Sequence, residues 1–289
     1  MRQPFSRREL IRTGVIAAIG APLAGYAGST YKPAYIKTTG KNKDPWHGLK
    51  VGIASYSFRK MSVENTIKAM QRLDLKYISI KDFHLSLKSS AAERKEVISK
   101  FTGAGIKPLS CGNITMQNDE ANIRNAFEYA RDCGIPTIVC SPDPGSMPIL
   151  DRMVKEFNIR LAIHNHGPED KHFPSPDEVW NAVKPYDARI GLCIDVGHTV
   201  RAKVDPAKAI VKYRERLYDL HIKDIASTEP DGETVAAGRG VMDLAAIIRA
   251  VLKIRYPYLL SVEYESTPED PLPEVAETIG YLKGMLNIL

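Results

Sequence analysis

From Gly48 onward the chain alternates between two spacings of apolar and polar residues. Short apolar runs bounded by polar, Gly or Pro residues predict strands at Leu49–Phe58, Lys76–Phe83, Ile106–Ile114, Thr137–Ser141, Arg160–His166, Ile190–Val196, Leu217–Ile225 and Tyr258–Glu265. The stretches between them have helical spacing and polar starts. They predict helices from Ser62 to about Leu73, then at Ser90–Gly103, Asp119–Cys133, Pro148–Phe157, Ser175–Val183, Asp205–Arg214, Asp243–Leu252 and Glu269–Leu289. Ser62 is placed to cap the first helix, with Glu64 and Asn65 in its first turn.

Strands alternating with helices imply a parallel sheet with crossover connections. Eight such pairs in residues 45–289 suit one closed (β/α)8 TIM barrel, a fold of about 250 residues. An open doubly wound sheet is the alternative fold. It is weakened by the lack of a Gly-x-Gly-x-x-Gly run after the first strand.

Charge changes the picture at the N-terminus. The formal net charge is +6, which would suit a polyanion partner if it were spread over the fold. It is not. Arg2, Arg7, Arg8 and Arg12 against Glu9, and Lys32, Lys37, Lys41 and Lys43 against Asp44, account for the whole excess. Residues 45–289 are neutral, so no nucleic-acid partner is expected. Residues 1–27 pair Arg7-Arg8 with an apolar run from Gly14 to Leu23 and small residues Gly25 and Ala27. That composition predicts a twin-arginine-like signal peptide, too short to span a membrane, and hence a periplasmic or secreted protein with no stable membrane anchor. Residues 28–44 predict a flexible lead into the barrel domain. Cys111, Cys133, Cys140 and Cys193 form no close pair and are expected as buried free thiols.

Candidate chemistry gathers at the predicted strand ends. The fifth strand ends His164-Asn165-His166-Gly167 and the sixth Asp195-Val196-Gly197-His198. The seventh carries His221-Ile222-Lys223-Asp224 and the eighth Glu263-Tyr264-Glu265. Alternate strand residues share a face, so His164 and His166 point one way, as do His221 and Lys223, and Glu263 and Glu265. In a barrel the carboxyl ends of the strands host the active site. A His (His164 or His166), an Asp, a His and a Glu from these four consecutive strands therefore predict one divalent ion. The mixed N/O set suits Mn2+, Zn2+, Co2+ or Fe2+, with Mg2+ also a candidate, better than Ca2+. Lys223 beside a cation is costly unless it is neutral or faces substrate oxygens. His84 also falls at a strand end, whereas His47 and His172 are expected at the surface. Asp224 is expected to cap or brace.

The runs Leu192–His198, Leu220–Asp224 and Ser261–Glu265 resemble the sugar phosphate isomerase/epimerase superfamily, the xylose isomerase-like TIM barrels that include inosose dehydratases and endonuclease IV. The likeness runs from about Val51 to the C-terminus. It implies metal ligands at Asp195, His221 and Glu263, a substrate-contacting His198, and a glycine-rich loop over the substrate at Gly238-Arg239-Gly240 with Asp243. Where the family carries a first Glu ligand in a Glu-Asn-His run, this chain has His164-Asn165-His166, more like inosose dehydratases.

The resemblance implies a metal-dependent isomerase or epimerase acting on a keto-sugar or polyol ketone through an enediolate. The alternative is a lyase or dehydratase eliminating a β-substituent from an inosose-like ketone or a 3-keto-glycoside. Two-base epimerases use both metal-bound Glu residues. With one Glu, single-base enolisation is expected, with Glu263 or a strand-end His as base, His166 as acid toward a leaving group and Lys223 at substrate oxygens. His84, His198 and Arg239 are the expected substrate contacts. The expected partner is a small carbohydrate, with a homo-oligomer left open. Endonuclease-like hydrolysis would need more ligands and a basic face. A non-catalytic sugar-binding barrel would not need the full ligand set.

Overall fold

The computed structural model describes residues 44–229 and 232–289. The expected signal segment, and the expected lead up to residue 43, lie outside the described residues. Asp44 is already part of the domain. Its carboxylate accepts the N–H of Trp46 at 3.1 Å and of Gly48 at 2.7 Å.

Eight parallel strands close into a barrel: β1 (Lys50–Ala54), β2 (Tyr77–Ile80), β3 (Lys107–Met116), β4 (Thr137–Pro142), β5 (Arg160–His164), β6 (Ile190–Asp195), β7 (Leu217–Ile222) and β8 (Leu259–Val262). Their order is β1-β8-β7-β6-β5-β4-β3-β2, with Lys50 opposite Leu259 and Ile53 opposite Val262 at the closure. The closed barrel replaces the open-sheet alternative.

Helices cover the barrel: α1 (Val63–Arg72), α2 (Ala91–Gly103), α3 (Glu120–Asp132), α4 (Met147–Phe157), α5 (Pro176–Val183), α6 (Val196–Arg201), α7 (Pro206–Lys212), α8 (Leu244–Lys253) and α9 (Leu272–Leu286). The polar starts act as read. Ser62 accepts from the Asn65 N–H, and Ser90 with Glu93 forms a capping box. Asp119, Ser175, Asp205 and Asp243 cap α3, α5, α7 and α8. Apolar side chains pack between the strands and this helical layer, with Phe58, Phe101, Phe127, Ile78 and Ile138 fully enclosed. All four cysteines are free and buried. Among the described residues no helix is long and apolar enough to cross a membrane.

Most of the strands are shorter than the sequence predicts, and the shortening falls at their carboxyl ends. β1 stops at Ala54 and gives way to a 3-10 turn, Ser55–Phe58. β5 stops at His164, and β6 turns directly into α6, a helix the sequence pattern did not reveal. After β7, Asp224–Ile225 leaves the barrel and pairs antiparallel with Thr234–Val235. The cause is common. Residues past the last ladder hydrogen bond are released from the sheet to face the mouth.

Candidate metal centre and substrate pocket

Strand register brings the predicted ligands to one level. Asp195 lies opposite His221, which lies opposite Ser261, two residues before Glu263. His164 comes from the end of β5 beside Cys193. One ligand atom from each of His164, Asp195, His221 and Glu263 falls within 4.8 Å of all the others, and all four residues are buried.

The contacts among them are incomplete as hydrogen bonds. His221 Nδ1 is 3.1 Å from His164 Nε2 and 3.0 Å from Glu263 Oε2. A single imidazole N–H cannot serve both. Asp195 Oδ2 is buried with no hydrogen-bond partner. A divalent cation would take all these lone pairs at once, and the two-nitrogen, two-oxygen set fits Zn2+, Mn2+ or Co2+. A second group, His164, Cys193 and His221, also clusters. Burial pushes the Cys193 thiol well up, which keeps it protonated and a poor ligand.

Neighbouring elements hold the ligands in place. Asn165 Oδ1 accepts the Asp195 N–H at 3.0 Å and its amide donates to Thr199 Oγ1 at 3.1 Å, tying the end of β5 to β6. Asp195 Oδ1 accepts the His198 N–H at 2.9 Å and so caps α6. Asp219, behind His221, stands 3.8 Å from its Nε2. At that distance the pair is electrostatic rather than hydrogen-bonded, and a small turn of the ring would bring it to the carboxylate that orients a metal-bound imidazole in the usual arrangement.

Electrostatics centre on Lys223. Its Nζ is 2.9 Å from Asp195 Oδ2 and 2.9 Å from Glu263 Oε2, and it also contacts Glu265. The Asp195 contact is an ion pair that misses hydrogen-bond direction, which is why Oδ2 remains unpartnered. Burial opposes the charge on Lys223, but Asp195, Glu263 and Glu265 outweigh it and hold the ammonium well above its ordinary value. Of the two conditions read from the sequence, a neutral lysine or one that faces substrate oxygens, the charged ammonium leaves the second. Burial likewise opposes ionisation of Asp195 and Glu263. Lys223 above all holds Asp195 ionised, and His221, Lys223 and Lys81 hold Glu263 ionised. Burial keeps His164 well below the ordinary histidine value, hence neutral. His221 is also pulled down by burial, but Glu263 carries it above that value.

A cavity of 320 Å3 opens above this cluster, lined by His164, His166, His198, Glu263, Glu265 and Asn113 among others. Burial lowers the values of both His166 and His198, so both rings are neutral near pH 7. Their tautomers differ. Arg201 has only donors to offer, and its guanidinium is 2.6 Å from His198 Nδ1. His198 must therefore carry its proton on Nε2. The Asn113 amide donates to His166 Nε2 at 2.8 Å, and His166 Nδ1 is 3.3 Å from Asp170 Oδ2. That places the His166 proton on Nδ1 and a lone pair on Nε2. Gly167 makes the turn after His166 possible. Its φ is +90°, and a Cβ there would stand 3.1 Å from Arg201 and 3.3 Å from His198 Nδ1.

Two expected substrate contacts are not brought to the pocket. His84 is buried below it, with Nε2 2.9 Å from Thr66 Oγ1 and Nδ1 3.1 Å from Ser55 Oγ, where it braces the β1 and β2 ends. Arg239 is exposed and forms a two-pronged pair with Glu277 of α9 at 2.6 and 2.7 Å. The glycine-rich loop that carries it is instead fastened from within by Asp224. Asp224 Oδ2 accepts the N–H groups of Gly238 and Gly240, and Oδ1 that of Met242. This is the bracing role expected of Asp224. His47 and His172 are exposed, as expected.

Lys81, Asn113 and Asp219 were not singled out in the sequence. Asp219 had a signal, since it shares the strand face of His221 and Lys223. Asn113 had none, because the β3–β4 register shifts between Cys111 and Ile114 and breaks the two-residue period there.

A family model described as Xylose isomerase-like TIM barrel matches residues 62–285. An inosose dehydratase from Lacticaseibacillus casei is 23% identical over 152 residues, which cover 46% of this chain and 50% of the relative. The chain thus spans about half the length of the curated relatives it matches. Among solved structures, the IolI protein with a bound zinc atom aligns with a TM-score of 0.68 at 16% identity, over 82% of this chain and 98% of that one. The 3-keto-D-glucoside 4-epimerase of E. coli aligns with a TM-score of 0.67 at 14% identity, over 82% and 99%. Likeness at these identities establishes the fold.

Proposed function

Since the chain belongs to the xylose isomerase-like TIM barrel family, we propose that it is a metal-assisted enzyme that enolises a keto-sugar or polyol ketone and then expels a β-substituent. The carrying observation is the pair of neutral imidazoles over the ligand cluster, His166 with an Nε2 lone pair that accepts the Asn113 amide and His198 with an N–H, ring centroids 5.7 Å apart. A base and an acid side by side are what proton abstraction and leaving-group protonation need together.

His164, Asp195, His221 and Glu263 would hold the ion, and the ion would supply Lewis-acid polarisation of the substrate carbonyl. Once substrate displaces the Asn113 amide, His166 Nε2 takes the proton on the carbon next to the ketone. The C–H electrons form a carbon–carbon double bond, and negative charge collects on the former carbonyl oxygen. The ammonium of Lys223 faces that charge. As the carbonyl re-forms, the bond to the β-oxygen breaks, and His198 Nε2 gives its proton to the departing oxygen, leaving an imidazolate that the Arg201 guanidinium faces until the proton taken by His166 returns to it. An enone and water or an alcohol result. Glu263, one of the bases expected from the sequence, is held as a strongly stabilised carboxylate by His221, Lys223 and Lys81, which makes it a weak base and a better ligand. The roles of acid and base thus pass to His198 and His166. The inosose dehydratase among the relatives supports elimination as the outcome.

Incubation of keto-sugars and polyol ketones in D2O tests this. The expected result is an enone absorbance together with deuterium at the α-carbon of recovered substrate. His166→Ala should lose both, whereas His198→Ala should keep the exchange and lose most of the elimination. Clean inversion at one carbon with no enone from any substrate would establish an epimerase instead.

A further inference from the structure

We propose that the barrel mouth binds two linked units, and that a second cavity beside His198 seats the leaving one, a hydroxylated sugar or polyol joined to the keto unit through a bridging oxygen. The inference rests on the enolising site proposed above and names the substrate class for it: a glycoside rather than a free monosaccharide.

The cavity over the ligand cluster has a volume of 320 Å3, near the lower end of the roughly 300–1,000 Å3 usual for small-molecule sites and enough for one sugar ring. A larger cavity of 610 Å3 adjoins it and contains none of the four ligand residues. His198 and Glu265 line both. The two spaces are therefore one groove partitioned by these side chains. A single ring held at the ligand cluster leaves the larger part of that groove empty.

The chemistry of the second cavity suits hydroxyl groups. Thr234, Ser266 and Thr267 supply hydroxyls and Arg201 and Glu233 supply charge, with Ile225 as the apolar wall. The walls are built rather than loose. Thr234 belongs to the two-stranded ladder with Ile225, and Ser266 Oγ donates to the Thr234 carbonyl at 2.7 Å. On the opposite side of the mouth a 400 Å3 cleft has a mixed lining, with Leu85, Leu87, Ile114 and Tyr129 beside Asp82 and Lys88.

The partition decides between them. On the first side it is His198, whose Nε2–H is the donor left over once Arg201 occupies Nδ1. A bond that spans the two cavities passes its bridging oxygen beside that donor. On the other side the shared polar residues are Asp82 and Asn113, and the Asn113 amide is already engaged with Ser141 and His166.

The test is binding, measured by titration calorimetry with ordinary disaccharides of each common linkage and with their component monosaccharides. These lack the ketone and do not turn over. At least one disaccharide should bind on the order of tenfold more tightly than its monosaccharides, a difference within reach of a few added hydrogen bonds. Glu233→Trp and Thr267→Trp, two exposed positions that would fill the second cavity, should bring it down to the monosaccharide level. Lys88→Trp, in the opposite cleft, should leave the preference intact. Thermal melting of each variant checks folding. A wild-type protein that binds no disaccharide better than its monosaccharides, or a preference abolished only by Lys88→Trp, would overturn the proposal. Deuterium exchange into the keto forms reports separately on enolisation, so failure of the reaction and failure of the second subsite are distinguishable.

Discussion

Lys223 Nζ lies 2.9 Å from Asp195 Oδ2, with both side chains almost fully enclosed. The ammonium sits among three carboxylates, those of Asp195, Glu263 and Glu265. Without it these carboxylates would repel one another in a buried site. Lys223→Met should therefore destabilise the metal-free protein by about 3 kcal/mol or more, the usual cost of orphaning buried charge. Added Zn2+ or Mn2+ should restore more melting temperature to this variant than to the wild type. Differential scanning calorimetry with and without metal reads both numbers, and equal responses would count against the arrangement.

Purified protein should carry about one divalent ion per chain by elemental analysis. Asp195→Ala and Glu263→Ala should each lose it while keeping the far-ultraviolet circular dichroism of the barrel, because both side chains act at the carboxyl ends of strands, where the backbone ladder does not depend on them. Asp219→Ala should weaken metal affinity roughly 10- to 100-fold without removing a ligand, by freeing the His221 ring to turn. Full metal occupancy in all three variants would rule out this centre.

Asp224→Ala should cost about 2–4 kcal/mol, since it strips acceptors from the backbone N–H groups of Gly238, Gly240 and Met242. Faster hydrogen exchange should be confined to that loop and to the Asp224–Ile225 ladder. Arg239→Ala, by contrast, should change stability and turnover little, because its partner Glu277 lies at the surface. A large loss of activity in Arg239→Ala would return that residue to the substrate.

His84 gives the pH dependence of stability a local source. Burial holds it below the ordinary histidine value. The unfolded chain therefore takes up a proton at a higher pH than the folded one. The stability that comes from keeping His84 neutral is full above about pH 6.5 and is lost as the pH falls below it. Melting temperatures between pH 7.5 and 5.5 should fall more steeply for the wild type than for His84→Gln. Parallel slopes would assign the dependence elsewhere.

Much of this site is legible in the sequence because two simple periods carry it. The strand–helix alternation gives the barrel, and the two-residue strand period puts His164, His221 and Glu263 on the inner face. What escaped lies where those periods stop. Asn113 follows a register shift, Lys81 sits one residue past the end of β2, and Val196–Arg201 coils into a helix in the stretch between the sixth strand and the helix that the pattern places after it. Arg239 misled because a glycine-rich flank says that a loop is tight, not which way its middle residue points. The assignment of acid and base also lay beyond the sequence. It depends on the Arg201 and Asn113 contacts, and those residues are far from their histidines along the chain or belong to a helix the pattern did not show.

All four ligand residues come from β5, β6, β7 and β8, which are contiguous in the barrel, while Tyr56, Lys81, Asp82, Phe83 and Asn113 enter the same pocket from the β1–β3 side. The mouth is therefore a semicircle of fixed chemistry facing a semicircle of largely replaceable shape. Tyr56, Asp82 and Phe83 can be exchanged for other shapes, whereas Lys81, 3.5 Å from Glu263, and Asn113, bound to His166, belong with the reactive half. Selection for a new substrate can work on those three positions while the reactive half stays as it is.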